Sequence, residues 1–163
     1  MYIDLKNYNP LFKKIMNVSK LVNEVPSNYG KCILDKCSAS SKCLRYQLYA
    51  HRVAAEKQFV IVNPDVAAPS RGEECPCFHN AEPVRLARGF QTALSSVPHG
   101  NVKLIQEELI SYYSRSMFYY YRKGERALSP KEQLHISDVL IRHGAQSPVV
   151  FDAYEDGYVW NED

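Results

Sequence analysis

Five cysteines are the residues of this 163-residue chain whose type and spacing could do chemistry. Cys32, Cys37 and Cys43 stand in the pattern Cys-x4-Cys-x5-Cys, and Cys75 and Cys77 follow after a gap of 31 residues. An odd number excludes complete disulfide pairing. Buried structural cysteines act as small hydrophobes and would fall on periodic apolar positions. Here most lie in polar stretches beside Lys31, Asp35, Lys36, Ser38, Glu73 and Glu74. That setting suits thiolate ligands. The expected site is a four-cysteine metal centre of Cys32, Cys37, Cys43 and either Cys75 or Cys77, which are too close to be independent. His79 is a further candidate.

Two metals compete for such a site. Zinc sites are usually built from paired Cys-x2-Cys knuckles, which this sequence lacks. The first gap matches that of plant-type iron–sulfur proteins, but the second does not. Wider gaps suit a cluster, whose ligands stand further apart than those of one ion, so iron–sulfur is expected slightly ahead of zinc. Cys43 lies near a predicted helix start, where free N–H groups favour a thiolate. Lys31, Lys36, Lys42 and Arg45 are placed to offset thiolate charge.

A second pattern lies at residues 112–126, YYSRSMFYYYRKGER, with six aromatics, four basic residues and one acid. Interleaved charge and rings are what single-stranded nucleic acid needs, for phosphates and for stacked bases. Arg115, Tyr119, Tyr120, Arg122, Lys123 and Arg126 are the candidate contacts. The competing reading is a packed helix whose tyrosines bury their rings and whose C-terminal bases complement the helix dipole.

No catalytic constellation is complete. A cysteine nucleophile needs a neighbouring histidine, and sequence places none of His51, His79, His99, His135 and His143 beside a thiol. Glu107 and Glu108 are adjacent on a helix and diverge by about 100°. Metalloprotease, nucleophile-elbow and dinucleotide signatures are missing. An enzyme is the less favoured expectation, and no catalytic residue is named.

The elements that must position these residues read as follows. A helix is expected over Pro10 to Val22, capped by Asn9. The loop with Cys32 and Cys37 leads to a helix from Ser40 or Ser41 to about Lys57. Phe59 to Val62 reads as a short buried strand. Residues 64–80 form a loop holding Cys75-Pro76-Cys77. Further helices are expected over Pro83 to Val97 and from Asn101 as far as Lys123, with Gly124 as a stop. Ser129-Pro130-Lys131-Glu132 is a capping box with proline in the first turn and starts a helix that Gly144 ends. Asp156-Gly157 signals a hairpin. The fold class is α+β, mainly helical. A single domain over 1–163 is expected, with the cysteines borne by an N-terminal region (residues 1–80), a helical region (residues 81–147) and an acidic C-terminal hairpin or tail (residues 148–163).

Composition is ordinary for a globular chain, at 45% hydrophobic and 23% charged residues. Charge is uneven. Residues 1–147 carry twenty Lys and Arg against thirteen Asp and Glu, a net of +7, while 148–163 carry five acids and no base. No apolar run suits a signal peptide or a membrane span, so a cytoplasmic setting is expected.

Several short motifs recur together in one known family. They are Val25-Pro26, Tyr29, Cys32, Cys37, Cys43-Leu44-Arg45, Asn63-Pro64, Cys75-Pro76, Arg85-x-Ala87-Arg88-Gly89-Phe90 and Tyr119 to Arg126. Leu128-Ser129-Pro130-x-Glu132-Gln133, Phe151-Asp152-x-Tyr154 and Trp160 complete the set. With them the chain resembles, over nearly its whole length, a domain of unknown function found in small bacterial proteins of gut Bacteroidales. The resemblance implies a bacterial, cytosolic protein and brings no activity. It also implies Cys75 as fourth ligand, because an aromatic is usual in the family at the position of Cys77. The leading expectation is a non-catalytic binding or regulatory module with a metal site. Nucleic-acid binding and iron–sulfur redox or enzymatic chemistry are the alternatives. No membrane partner is expected.

Overall fold

A computed structural model describes residues 25–52 and 56–160. The expected helix at Pro10 to Val22 lies outside them. The described residues form two compact units, 25–83 with Trp160, and 84–159. The class is α+β and mainly helical, as expected.

In the first unit, 3-10 turns cover Ser40–Lys42 and Pro69–Glu74, and one α-helix, α1, covers Leu44–Ala50. The helix expected to reach Lys57 therefore stops at Ala50. Its start is also broken, because Cys43 is extended (φ −94°, ψ 115°) and separates the 3-10 turn from α1. The expected strand at Phe59 to Val62 is reduced to one parallel bridge, Lys31 to Ile61. Val60 and Ile61 are exposed, so no buried face holds that segment in a sheet. A second bridge, Cys43 to Asn80, is closed by Leu44 N–H to His79 O (2.7 Å) and Ala81 N–H to Lys42 O (2.8 Å).

The second unit contains β1 (Val84–Arg88), α2 (Gln91–Ser95), α3 (His99–Tyr113), α4 (Arg115–Lys123), α5 (Pro130–Arg142) and β2 (Ala153–Gly157). Phe90, Ile105, Leu109, Phe118, Leu128, Ile136, Val139 and Leu140 make its core, each essentially inaccessible to solvent. Burying each such side chain contributes about 1.5–3 kcal/mol before entropy is counted.

Three expectations are corrected here. Pro83 to Val97 is not one helix: β1 occupies its first half. Leu86, Phe90, Ala93 and Val97 also stand at helical spacing, but short apolar runs fit either period. The helix from Asn101 to Lys123 is two helices, broken at Ser114 (φ 79°), whose side chain accepts from Met117 N–H. The C-terminal hairpin does not form. β2 instead pairs antiparallel with β1, so that Val84 faces Gly157 and Arg85 faces Asp156. The capping box at Ser129 and Glu132 and the left-handed stop at Gly124 (φ 75°) are both present.

Candidate metal centre

The three segments that carry cysteines come together in the first unit. Cys32, Cys37, Cys43, Cys75 and Cys77 all line one pocket of about 20 Å³, closed by Leu34, Tyr46, Ala67 and Phe78. All five are free thiols. Cys32 and Cys43 are buried and the other three half-buried.

Main-chain bonds fix the segments that carry them. Cys32 N–H donates to Arg45 O (3.1 Å), tying its loop to α1. Cys37 O accepts from Ser40 N–H (3.1 Å) as the 3-10 turn begins. Cys43 caps α1 by accepting Gln47 N–H at its carbonyl (2.9 Å). Cys75 ends the second 3-10 segment, and its Sγ accepts from Ala68 N–H (3.2 Å). That segment bends at Gly72, where φ is +58° and a Cβ would stand 3.0 Å from Ser38 Oγ. Only glycine fits such a left-handed position without strain.

Burial pushes the Cys32 thiol above its ordinary 9.0, and the nearby Cys43, Cys37 and Cys75 thiols push the same way, against a backbone hydrogen bond from Leu34. Burial also raises Cys77, again with help from Cys75, while Arg45 pulls it down. These thiols are protonated at neutral pH, and any metal must displace their protons. Among the described residues no group of three or more His, Cys, Asp or Glu side chains could hold a single metal ion as they stand. The thiols surround the pocket without closing on one point.

The other nominated residues fall as follows. His79 is buried, but it does not line the pocket, and its Nδ1 is hydrogen-bonded to the Tyr29 hydroxyl. Lys31 is matched to both oxygens of Glu56 (2.5 and 2.6 Å), and Lys42 to Glu73 (2.6 Å). Tyr46 and Phe78, which wall the pocket, were not nominated; nothing but folding brings them there.

In the basic aromatic stretch most rings are used internally. Tyr121 is buried and donates to Glu132, Tyr113 bonds His135 Nδ1 (3.0 Å), and Tyr119 accepts from Gln106 (3.2 Å). Burial pushes the hydroxyls of Tyr113 and Tyr121 well above the ordinary range, with Glu132 adding to the effect. Tyr112 and Tyr120 are exposed, as are Arg115, Lys123 and Arg126, whereas Arg122 is half-buried.

A mainly helical α+β chain with a thiol-lined pocket is thus the class that fold and site define. The sequence model of a family of unknown function (DUF6078) matches residues 15–160, and the chain belongs to that family. No curated protein and no solved structure matches it. No helix among the described residues is long and apolar enough to cross a membrane.

Proposed function

We propose that the cysteine pocket is a metal centre, and that the protein is a metal-dependent binding or regulatory module rather than a catalyst. One observation carries this reading: five thiols from distant stretches of the sequence line a single pocket. A core needs no such gathering of sulfur, and the buried Cys32 thiol keeps its proton unless a soft metal takes the proton's place. Cys32, Cys37, Cys43 and Cys75 are the ligand set. Cys32 is coupled electrostatically to the other three. Cys77 is the alternative fourth ligand.

The two candidate metals make opposite demands. Zinc, bound at about 2.3 Å by each sulfur, requires the thiols to draw inwards. An iron–sulfur cluster tolerates the wider spread but requires the 20 Å³ pocket to open. Elemental analysis with an absorption spectrum, on protein purified without oxygen, decides between them. Iron with broad absorbance indicates a cluster and favours a redox role. About one zinc per chain and no colour indicates a structural site. Absence of both metals overturns the proposal.

A second reading rests on α4 and the turn after it, where Arg115, Tyr120, Lys123 and Arg126 are all exposed. This group suits nucleic-acid contact through charge and a stacking ring. Retention on DNA or RNA that falls steeply with salt, and is lost when Arg115, Lys123 and Arg126 become Ala, supports it. No retention at low salt removes it.

A further inference from the structure

A second pocket of the first unit shares no lining residue with the one that gathers the thiols. It holds about 430 Å³, within the size range of small-molecule sites. Three stretches build its walls. Tyr29 and Lys31 come from the loop before α1. Leu48 belongs to α1, and Arg52 lies just beyond its end. Glu56 and Phe59 come from the segment that follows. Main-chain bonds hold the first and last stretches side by side: Lys31 N–H donates to Val60 O (2.8 Å), and Lys31 O accepts from Val62 N–H (3.0 Å).

The charged groups in this lining are more than packing requires. The Lys31 side chain is nine-tenths buried, yet it ends in an ammonium held against both oxygens of Glu56 (2.5 and 2.6 Å), 5.1 Å from the centre of the Phe59 ring. A buried ion pair is a poor way to stabilise a fold, because the desolvation it costs can exceed the attraction it returns. Glu56 takes at most two of the three ammonium N–H groups, and Nζ makes no other hydrogen bond to the described residues. Arg52 is exposed. Its Nη1 donates to Tyr49 O (2.7 Å) and its guanidinium stacks 4.1 Å from the centre of the Tyr49 ring, which fixes its plane. No Asp or Glu among the described residues pairs with it. With Lys31 and Arg52 set against Glu56, the lining carries one positive charge in excess. We propose that this pocket binds a small aromatic monocarboxylate. Its carboxylate pairs with Arg52, whose planar fork matches a carboxylate in two bonds. Its ring lies against the apolar wall of Leu48 and Phe59, and Lys31 offers a further donor. One negative charge cancels the excess, where a phosphate dianion would overshoot it. The proposal stands on this pocket alone and not on the metal reading.

The test uses the full chain as purified, with phenylacetate and its neutral amide, phenylacetamide, as probes. In a heteronuclear NMR titration, millimolar phenylacetate should shift the amide signals of Lys31, Leu48, Arg52 and Phe59. Ile105 and Leu109, in the core of the second unit, should not move. Phenylacetamide should bind roughly ten-fold more weakly, the worth of one hydrogen bond to a charged group. Arg52→Gln, at an exposed position, should remove that preference and leave the affinity for phenylacetamide unchanged, which a purely structural Arg52 would not do. Lys31→Gln should weaken phenylacetate binding as well; should that variant fail to fold, Arg52→Gln decides alone. Equal affinity of wild type for the two probes overturns the proposal, and so does a preference that survives Arg52→Gln. Absence of shifts with both probes overturns it too, as do shifts centred on the second unit. Each of these outcomes leaves the metal reading of the cysteine pocket where it stands.

Discussion

A thiol ligates a soft metal only after losing its proton, and a serine hydroxyl at the same position does not lose one near neutral pH. Cys37→Ser should therefore abolish metal content, as should Cys32→Ser, whereas Cys77→Ser should keep it. Metal per chain, measured on anaerobic protein, checks all three. Loss in Cys77→Ser with retention in Cys75→Ser would exchange the roles of those two residues. Because burial keeps the ligand thiol of Cys32 protonated, binding releases its proton and apparent affinity must rise with pH. At this scale the sequence was informative. Cysteine spacing and polar flanks nominated the residues that line the pocket. It was silent on how the cations beside the thiols pair, because pairing depends on which carboxylates folding brings near: Lys31 is matched to Glu56 and Lys42 to Glu73.

Between elements, one carboxylate does two jobs. Asp152 accepts the N–H groups of Gln91 and Thr92 (both 2.9 Å), capping α2 from a segment some sixty residues away. Its partial burial works to raise its pKa, but those hydrogen bonds more than offset this and hold the carboxyl below its ordinary 3.8. The folded state thus favours the ionised form. The stabilisation is fully present above pH 3.8 and is lost as pH falls through the lower folded value. Asp152→Ala should cost about 0.5–2 kcal/mol near neutral pH, and the difference should shrink in acid. Denaturant unfolding of both proteins at several pH values checks this. Gly89 is tied to the same residue, its carbonyl accepting the Asp152 N–H (3.0 Å). Its φ is +69°, and a Cβ there would stand 2.4 Å from Asp152 Oδ2. Gly89→Ala should be destabilising for both reasons, and adding Asp152→Ala should relieve the clash with the carboxylate while leaving the backbone strain. Equal stability of Gly89→Ala and wild type by thermal melting would refute this account.

Elements became legible where their signals are local. Ser129 and Glu132 satisfy each other's N–H groups within one turn, and Gly124 takes the left-handed stop, so both could be read from a few residues. β1 could not, because its partner lies about seventy residues away. Its register sets Arg85 opposite Asp156, and Arg88 reaches Glu155 (2.7 Å) and the carbonyl of Gly124 (3.0 Å). Some of the acids of 148–163 that read as an excess of charge are the partners of that basic strand.

Among the described residues, the two units differ in how much apolar packing they hold. Residues 84–159 carry a core running from Ala87 to Phe151 and sustained by three helices of nine or more residues. Among the described residues of the first unit, α1 buries only Leu44 and Leu48, supported by Tyr29, Ala39 and Ala81. Metal ligation is a source of stability that small folds commonly use, and the proposed centre would add it to this packing. Binding energy at thiolates that are not preorganised in the unfolded chain becomes folding energy. Chelation should then loosen the first unit selectively. Hydrogen exchange should accelerate at the amides of Cys32, Leu44 and Ala81, whose hydrogen bonds hold the cysteine segments together. Protection at Ile105, Leu109, Ile136 and Val139 should be unchanged, because those residues depend on their own core. Equal acceleration in both units would mean that they fold as one cooperative body. No acceleration anywhere would mean that the thiol pocket contributes nothing to stability and that its metal, if bound, serves function alone.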